Sequence, residues 1–331
     1  MKIMVYEARP DERADLEKQA ALHGVELSVT DAVPTLENAS LAAGCIGVSI
    51  LGQGCIDAAL LDAYHALGIR YLSTRTIGYD HIDLDHARSI GLRVCSASYA
   101  PNGVADFTVM MILMCLRHYK QALWRGQVND FSLTGLQGRE MKDLTIGIIG
   151  TGRIGAQVAR NLSGFGCRIL AYDLRRNPAV EPQVTYVDFD TLLAQSDVIT
   201  LHMPLLDSTR HIINRESIAK MRDGVVIVNC SRGELADIEA LIEGIETGKI
   251  GALGMDTVEG DEGIIHADHR VDILPNRNWF YLHQFRNVIM TQHMAFYTDA
   301  AVSSMVDCGI GGICQMAAGE SCPTELTGPV Q

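Results

Sequence analysis

Apolar and polar positions along the chain alternate in a way that divides it into short β-type runs separated by helix-like stretches. Ile3 to Tyr6 is apolar and short, and Asp11 to His23 carries helical spacing with Gly24 as its stop. Ile46 to Leu51, Tyr71 to Ser73 and Val94 to Ser96 have the look of further buried strands. Strands alternating with helices imply a parallel sheet covered on both faces. A second series in the same rhythm begins near residue 145. Leu144 to Ile149 is a continuous β-type run that ends at a glycine loop, Ala156 to Leu162 continues as a helix, and Arg168 to Tyr172 is the next strand. Val198 to Leu201, Val225 to Asn229, Ala252 to Met255 and a run from Val288 to His293 follow. Five or more strands in this order complete a doubly wound domain. The Met-rich run from Val109 to Met114 reads as a buried helix face.

The chain has 331 residues, more than one hydrophobic core usually fills, so two domains are expected. The Ala-, Ser- and Met-rich stretch after residue 297 is too short to fold alone, and a return to the first domain is one arrangement open to it. A net charge of −13 argues against the basic surface a nucleic-acid partner needs, so no nucleic-acid partner is expected. No signal-peptide core follows Met1, and Val104 to Leu116 is too short to span a bilayer, so no membrane partner and a cytoplasmic location are expected. The nine cysteines are an odd number with no Cys-x-x-Cys pair. Reduced thiols fit this better than a disulfide framework or a metal site.

The loop Gly150-Thr151-Gly152-Arg153-Ile154-Gly155 follows a β-run and opens a helix. The first glycine permits the tight turn, the second lets backbone approach a pyrophosphate, and the third allows close helix–strand packing. The pyrophosphate then meets free N–H groups at a helix N-terminus. Asp173 ends the next strand, where a carboxylate accepts hydrogen bonds from the adenosine ribose and repels a 2′-phosphate. NAD is therefore expected over NADP, although Arg175 and Arg176 nearby soften the preference.

Hydride transfer to a 2-keto acid needs a cation for the carboxylate, a proton donor for the developing alkoxide, and a group that keeps the donor charged. Arg232 follows the run ending at Asn229, Glu259 follows the run ending at Met255, and His293 ends the run from Val288. Ligands bind at that carboxyl edge in open α/β sheets. His81, His118, His202, His266, His269 and His283 read as structural or exposed.

With these residues in view, the chain resembles the D-isomer-specific 2-hydroxyacid dehydrogenase family. The matching blocks are Arg75 to Asp83, Tyr99-Ala100-Pro101-Asn102, the glycine loop, Leu201 to Leu205, Ser231-Arg232-Gly233 and Thr291 to Thr298. The last block and the Tyr99 block resemble the D-lactate and (R)-2-hydroxyisocaproate branch. The resemblance implies two doubly wound parallel-sheet α/β domains closing over a cleft. A flavodoxin-like substrate domain takes residues 1–99 and 298–331, and a Rossmann-type NAD domain takes 100–297. It implies His293 as the acid–base group, Glu259 paired with it and favouring its imidazolium form, and Arg232 on the substrate carboxylate. Ile77, Gly78, Tyr99 and Phe296 are implied as further substrate contacts. On the cofactor side it implies Gly150, Gly152, Arg153, Ile154 and Gly155 at the pyrophosphate and Asp173 at the ribose. Met203, Pro204 and Thr209 border the adenine end, with Cys230, Ser231, Arg232 and Asp256 toward the nicotinamide. A homodimer is also implied.

Three positions depart from the pattern: Gln292 stands where the family often has Pro, and Asp106 and Phe107 where many relatives carry Glu and His. Cys230, beside the nicotinamide end, raises the expectation of inhibition by thiol reagents with no catalytic role for sulfur. The leading expectation is NADH-dependent reduction of a 2-keto acid to the (R)-2-hydroxy acid. A phosphoglycerate-type dehydrogenase and an NAD-sensing interaction protein of the same fold are the alternatives.

Overall fold

The computed structural model describes residues 1–274 and 276–328 and divides the chain into two compact units, Met1–Ala100 with Tyr297–Gln331, and Pro101–Phe296.

The first unit has five strands: β1 (Lys2–Val5), β2 (Glu26–Val29), β3 (Gly47–Ile50), β4 (Tyr71–Thr74) and β5 (Arg93–Cys95). All pair in parallel in the order β2-β1-β3-β4-β5. This is the flavodoxin-like order, which places a switch point between β1 and β3. Helices α1 (Arg13–His23), α2 (Ala58–Ala66) and α3 (Leu84–Ser89) connect the strands. Gly24, at φ 60, caps α1 in the left-handed conformation that an L side chain resists. The edge strand β2 shows no buried residue, which is why its run Glu26-Leu27-Ser28-Val29 carries little apolar signal.

The second unit opens with α4 (Asn102–Leu116) and α5 (Tyr119–Gln127), and its sheet starts at β6 (Thr145–Ile149). There follow α6 (Arg153–Ser163), β7 (Arg168–Tyr172), β8 (Thr185–Tyr186), α7 (Phe189–Gln195) and β9 (Val198–Leu201). The rest are α8 (Arg215–Lys220), β10 (Val225–Asn229), α9 (Ile238–Glu246), β11 (Ile250–Met255), α10 (Arg277–Gln284) and β12 (Val288–Met290). The seven-stranded parallel sheet runs β12-β11-β10-β9-β6-β7-β8, so the glycine loop after β6 sits where the strand order reverses. β9 and β10 are buried at every position, as strands covered on both faces must be. The Met-rich stretch lies in α4, with Met111 and Cys115 packed against Gly254 on β11.

The last helix, α11 (Asp299–Ala317), belongs to the first unit and packs on α1, β3, β4 and β5. Among the described residues it alone is long and apolar enough to cross a membrane, yet 56% of its most apolar window is buried in the fold. Its glycines explain how close it lies. A Cβ on Gly309 would stand 2.8 Å from Arg75 Cγ and 3.2 Å from Ser49 Oγ. Arg75 is fully buried and cannot yield, because its guanidinium bonds Glu12 at 3.0 Å, Ser49 at 3.2 Å and the Tyr6 carbonyl at 3.0 Å. Gly309→Ala is therefore expected to overpack the core and cost about 1–3 kcal/mol, measurable by denaturant unfolding. An unchanged unfolding midpoint would show that α11 shifts freely.

Candidate active site

Parallel strands put their carboxyl ends on one edge of the sheet, and the second unit's candidates collect there. The glycine loop leaves β6 with Gly150 at φ 92. A Cβ on Gly150 would lie 2.5 Å from the His202 carbonyl oxygen, and one on Gly155 would lie 2.0 Å from the Gly150 carbonyl oxygen. Both positions exclude a side chain. Gly152, the N-cap of α6, opens on free space instead, leaving backbone and helix N-terminus accessible to a phosphate group.

Asp173 braces this loop. Its Oδ2 accepts from the Thr151 N–H at 2.6 Å and the Thr151 hydroxyl at 3.1 Å, and its Oδ1 accepts from the Arg175 N–H at 2.9 Å. Thr151 is held further by the Tyr186 hydroxyl at 2.8 Å and the Asn177 amide at 2.8 Å. The carboxylate thus stands against the glycine loop. Arg153 and Pro204 are exposed, Ile154 and Met203 half-buried, and the Thr209 hydroxyl donates to the Pro204 carbonyl at 2.8 Å. His202 stays structural: burial lowers it to about 3, and its Nε2 pairs with the Thr200 hydroxyl at 2.9 Å.

Arg232 lies just past β10, where the Asn229 amide donates to its carbonyl oxygen at 2.7 Å and where the Ser231 N–H donates to Asn229 Oδ1 at 3.0 Å. Gly233 explains why a glycine follows. A Cβ there would stand 2.3 Å from Val258 C and 2.4 Å from Glu259 N. The bare backbone after Arg232 therefore presses directly on the backbone of Glu259.

The strand leading to His293 is shorter than its apolar run suggests. β12 ends at Met290, and His293 sits in a turn at φ 52. Asp256, almost fully buried, builds that turn. Its carboxylate accepts from the Thr291 hydroxyl at 2.5 Å and from the N–H groups of Met294 at 2.9 Å and Ala295 at 2.8 Å. The His293 N–H donates to the Asp256 carbonyl at 3.0 Å. The carboxylate seen from sequence only as a cofactor contact thus also shapes the loop that carries His293. The His293 ring meets Phe296 edge-on at 6.1 Å, and the preceding Gln292 is exposed.

Glu259, expected beside His293, pairs its Oε1 with His211 Nε2 at 2.6 Å, and its Oε2 accepts from the Ile238 N–H at 3.4 Å. His211, absent from the sequence-derived candidates, is held by its N–H to the Glu234 carbonyl at 2.8 Å. His266 is exposed, as expected, and lies beside the His293 turn. Its ring lies 6.1 Å from His293 and 6.4 Å from Phe296, and its Nε2 is 3.2 Å from the His293 carbonyl oxygen. Cys230 is buried, and burial pushes its thiol well up. Asp106 accepts from the Asn161 amide at 2.7 Å and so joins α4 to α6, with Phe107 half-buried beside it.

Asp261, between Val258 and the acidic Glu262, is raised to about 6, first by burial. The Val258 N–H opposes the rise, Glu262 and Glu234 add to it, and Arg232 opposes it. The folded chain holds this proton more tightly than the unfolded chain does. The group is therefore neutral and harmless below about pH 4, and it destabilises increasingly as pH rises through 6. Asp261→Asn should raise the thermal midpoint near pH 8 by roughly 2–4 °C and give no gain near pH 4. Equal gains at both pH values would contradict the assignment.

In the first unit, Ile77 and Gly78 follow β4, where the Thr76 hydroxyl donates to the Gly78 carbonyl at 2.6 Å. Tyr99 is half-buried in the segment after β5. Glu7, at φ 54, fixes the neighbouring loop through the N–H groups of Leu51, Gly52 at 2.9 Å and Gln53 at 2.8 Å.

The sequence profile for the D-isomer-specific 2-hydroxyacid dehydrogenase NAD-binding domain matches residues 109–295. Among curated proteins, the chain is 42% identical over 311 residues to an aromatic 2-oxoacid reductase of Clostridium sporogenes, covering 93% of each. It is 36% identical over 328 residues to a D-lactate dehydrogenase of Escherichia coli, covering 98% of this chain and 100% of the other. Among solved structures, the NAD-complexed D-isomer-specific 2-hydroxyacid dehydrogenase of Lactobacillus delbrueckii ssp. bulgaricus aligns at a TM-score of 0.83 and 31% identity, covering 98% and 100% of the two chains. The chain belongs to the D-isomer-specific 2-hydroxyacid dehydrogenase family, in its D-lactate dehydrogenase branch. It is an NAD-dependent oxidoreductase acting on 2-keto acids.

Proposed function

We propose that the enzyme reduces a 2-keto acid with an apolar side chain to the (R)-2-hydroxy acid, with Arg232, Glu259 and His293 as its catalytic residues. The observation that carries this reading is the contact of three adjacent strand ends. Gly233 brings the backbone after Arg232 onto Glu259, and Asp256 ties the end of β11 to the His293 turn.

The glycine loop Gly150–Gly155 and Asp173 would hold NADH, which when bound would supply the hydride for the substrate C2. Arg232 holds the carboxylate and polarises the carbonyl, and His293 delivers a proton to the carbonyl oxygen as negative charge develops there. Glu259 is assigned the role of favouring the imidazolium form of His293, and its carboxylate is held by His211. Phe296, edge-on to His293, supplies an apolar wall for the substrate side chain. Ile77, Gly78 and Tyr99 are the first unit's candidates for substrate contact, which makes Met1–Ala100 with the α11 segment the substrate domain.

Support for an apolar, bulky side chain comes from Phe296 and from the 42% identity to the aromatic 2-oxoacid reductase. NADH consumption with pyruvate, 2-ketoisocaproate and phenylpyruvate tests it: kcat/KM should be higher for the two larger substrates. Turnover confined to pyruvate would overturn the substrate class.

The enzyme is further proposed to be a cytoplasmic homodimer. Leu123, Trp124, Val128, Phe131 and Leu133 form an exposed apolar run on and after α5, and a second copy would cover it. Sedimentation equilibrium should return twice the chain mass, and a monomer at micromolar concentration would refute the dimer.

A further inference from the structure

Three thiols outside the active site lie together in the first unit. Cys95 ends β5 and is fully buried, Cys322 follows α11 and is 7% exposed, and Cys308 lies on α11. The sulfurs of Cys95 and Cys322 both sit over Gly312. A Cβ there would be 2.7 Å from Cys95 Sγ and 3.5 Å from Cys322 Sγ, so the two sulfurs share a space that only glycine leaves open.

The segment carrying Cys322 is laid along β5 by its backbone. The Ser96 N–H donates to the Thr324 carbonyl at 3.0 Å, Glu325 bridges antiparallel to Cys95, and the Leu326 N–H donates to the Val94 carbonyl at 2.8 Å. Arg93 grips the Glu325 carboxylate at 2.8 and 2.6 Å. Cys308 is engaged elsewhere, its thiol donating to the Ser98 carbonyl at 3.4 Å.

We propose that Cys95 and Cys322 form a dithiol that peroxides oxidise to a disulfide, fastening the C-terminal segment covalently to the edge of the first sheet. Cys322 is the attacking group. The Cys95 thiol and the Thr324 hydroxyl and N–H stabilise its thiolate and hold it below the usual thiol range, whereas the hydrogen bond to Cys322, and then burial, keep Cys95 protonated. The Cys322 thiolate attacks one peroxide oxygen, the O–O bond breaks, and with one proton the products are a sulfenic acid and water. The Cys95 thiol then attacks the Cys322 sulfur, forming the S–S bond and breaking the S–O bond, and a second water leaves. Peroxide is reduced, the two thiols are oxidised, and a dithiol reductant reverses the change.

The test treats the full-length enzyme with a small excess of hydrogen peroxide, blocks remaining thiols with iodoacetamide under denaturing conditions, and maps peptides by mass spectrometry. The expected product is a linked Cys95–Cys322 peptide, two hydrogens lighter than its thiol form and lost on treatment with dithiothreitol. The Cys308→Ser variant should give the same link. Complete alkylation of both cysteines, a sulfinic acid on Cys322 beside a free Cys95, or a link through Cys308 would each overturn the proposal.

Discussion

Replacing His293 with Ala should lower kcat for 2-keto acid reduction by roughly 10²–10⁴-fold, the range of a lost general acid. NADH affinity should change little, because the imidazole is proposed to serve the substrate oxygen and is not among the cofactor contacts. The backbone matters to the choice of variant. His293 sits at φ 52, where asparagine is tolerated better than alanine, so His293→Asn separates loss of the imidazole from strain in the turn. Both variants should be equally slow, and the pH dependence of any residual rate should lose its contribution from His293. Either one turning over within a few-fold of the wild type would remove His293 from its role.

Arg232→Gln should reduce kcat/KM on the order of 10²–10³-fold, with much of the loss in the KM for the 2-keto acid. Glutamine keeps hydrogen-bonding capacity but removes the charge that a carboxylate selects. The substitution also tests the site's architecture, since Arg232 is fixed by Asn229 on one side and followed by the obligatory Gly233 on the other. A lysine variant should recover part of the affinity, because it restores the charge without the planar fork. If Arg232→Gln leaves KM unchanged, the substrate carboxylate is held elsewhere.

The fold was largely legible in the sequence. β7, β9 and β10 coincide with the runs read from apolar pattern alone, because buried parallel strands carry continuous apolar side chains that surface structure does not mimic. What was missed had weak or contrary local signal. β2 has no buried side chain, and β8 is two residues long. The run at Val288 overstated its strand because the Asp256 carboxylate takes the N–H groups of Met294 and Ala295, a contact 39 residues away for Ala295 and unreadable from local pattern.

The candidate site was legible as residue types placed after strands, and less so in its partnerships. The glycine loop, Asp173, Arg232 and His293 each announce themselves by position after a strand. The His211–Glu259 pair spans 48 residues and joins two loops, so no periodicity points to it. Gly233 was the available signal, since a glycine directly after a candidate arginine implies close backbone approach. His266 offered no such cue, and only the folded chain brings its ring beside His293.

The enzyme is proposed to deliver hydride and proton to one face of a 2-keto acid. Chiral analysis of the product formed from NADH and phenylpyruvate or 2-ketoisocaproate measures that directly. The (R)-2-hydroxy acid should form in one-to-one proportion with NADH consumed, and an (S) or racemic product would contradict it.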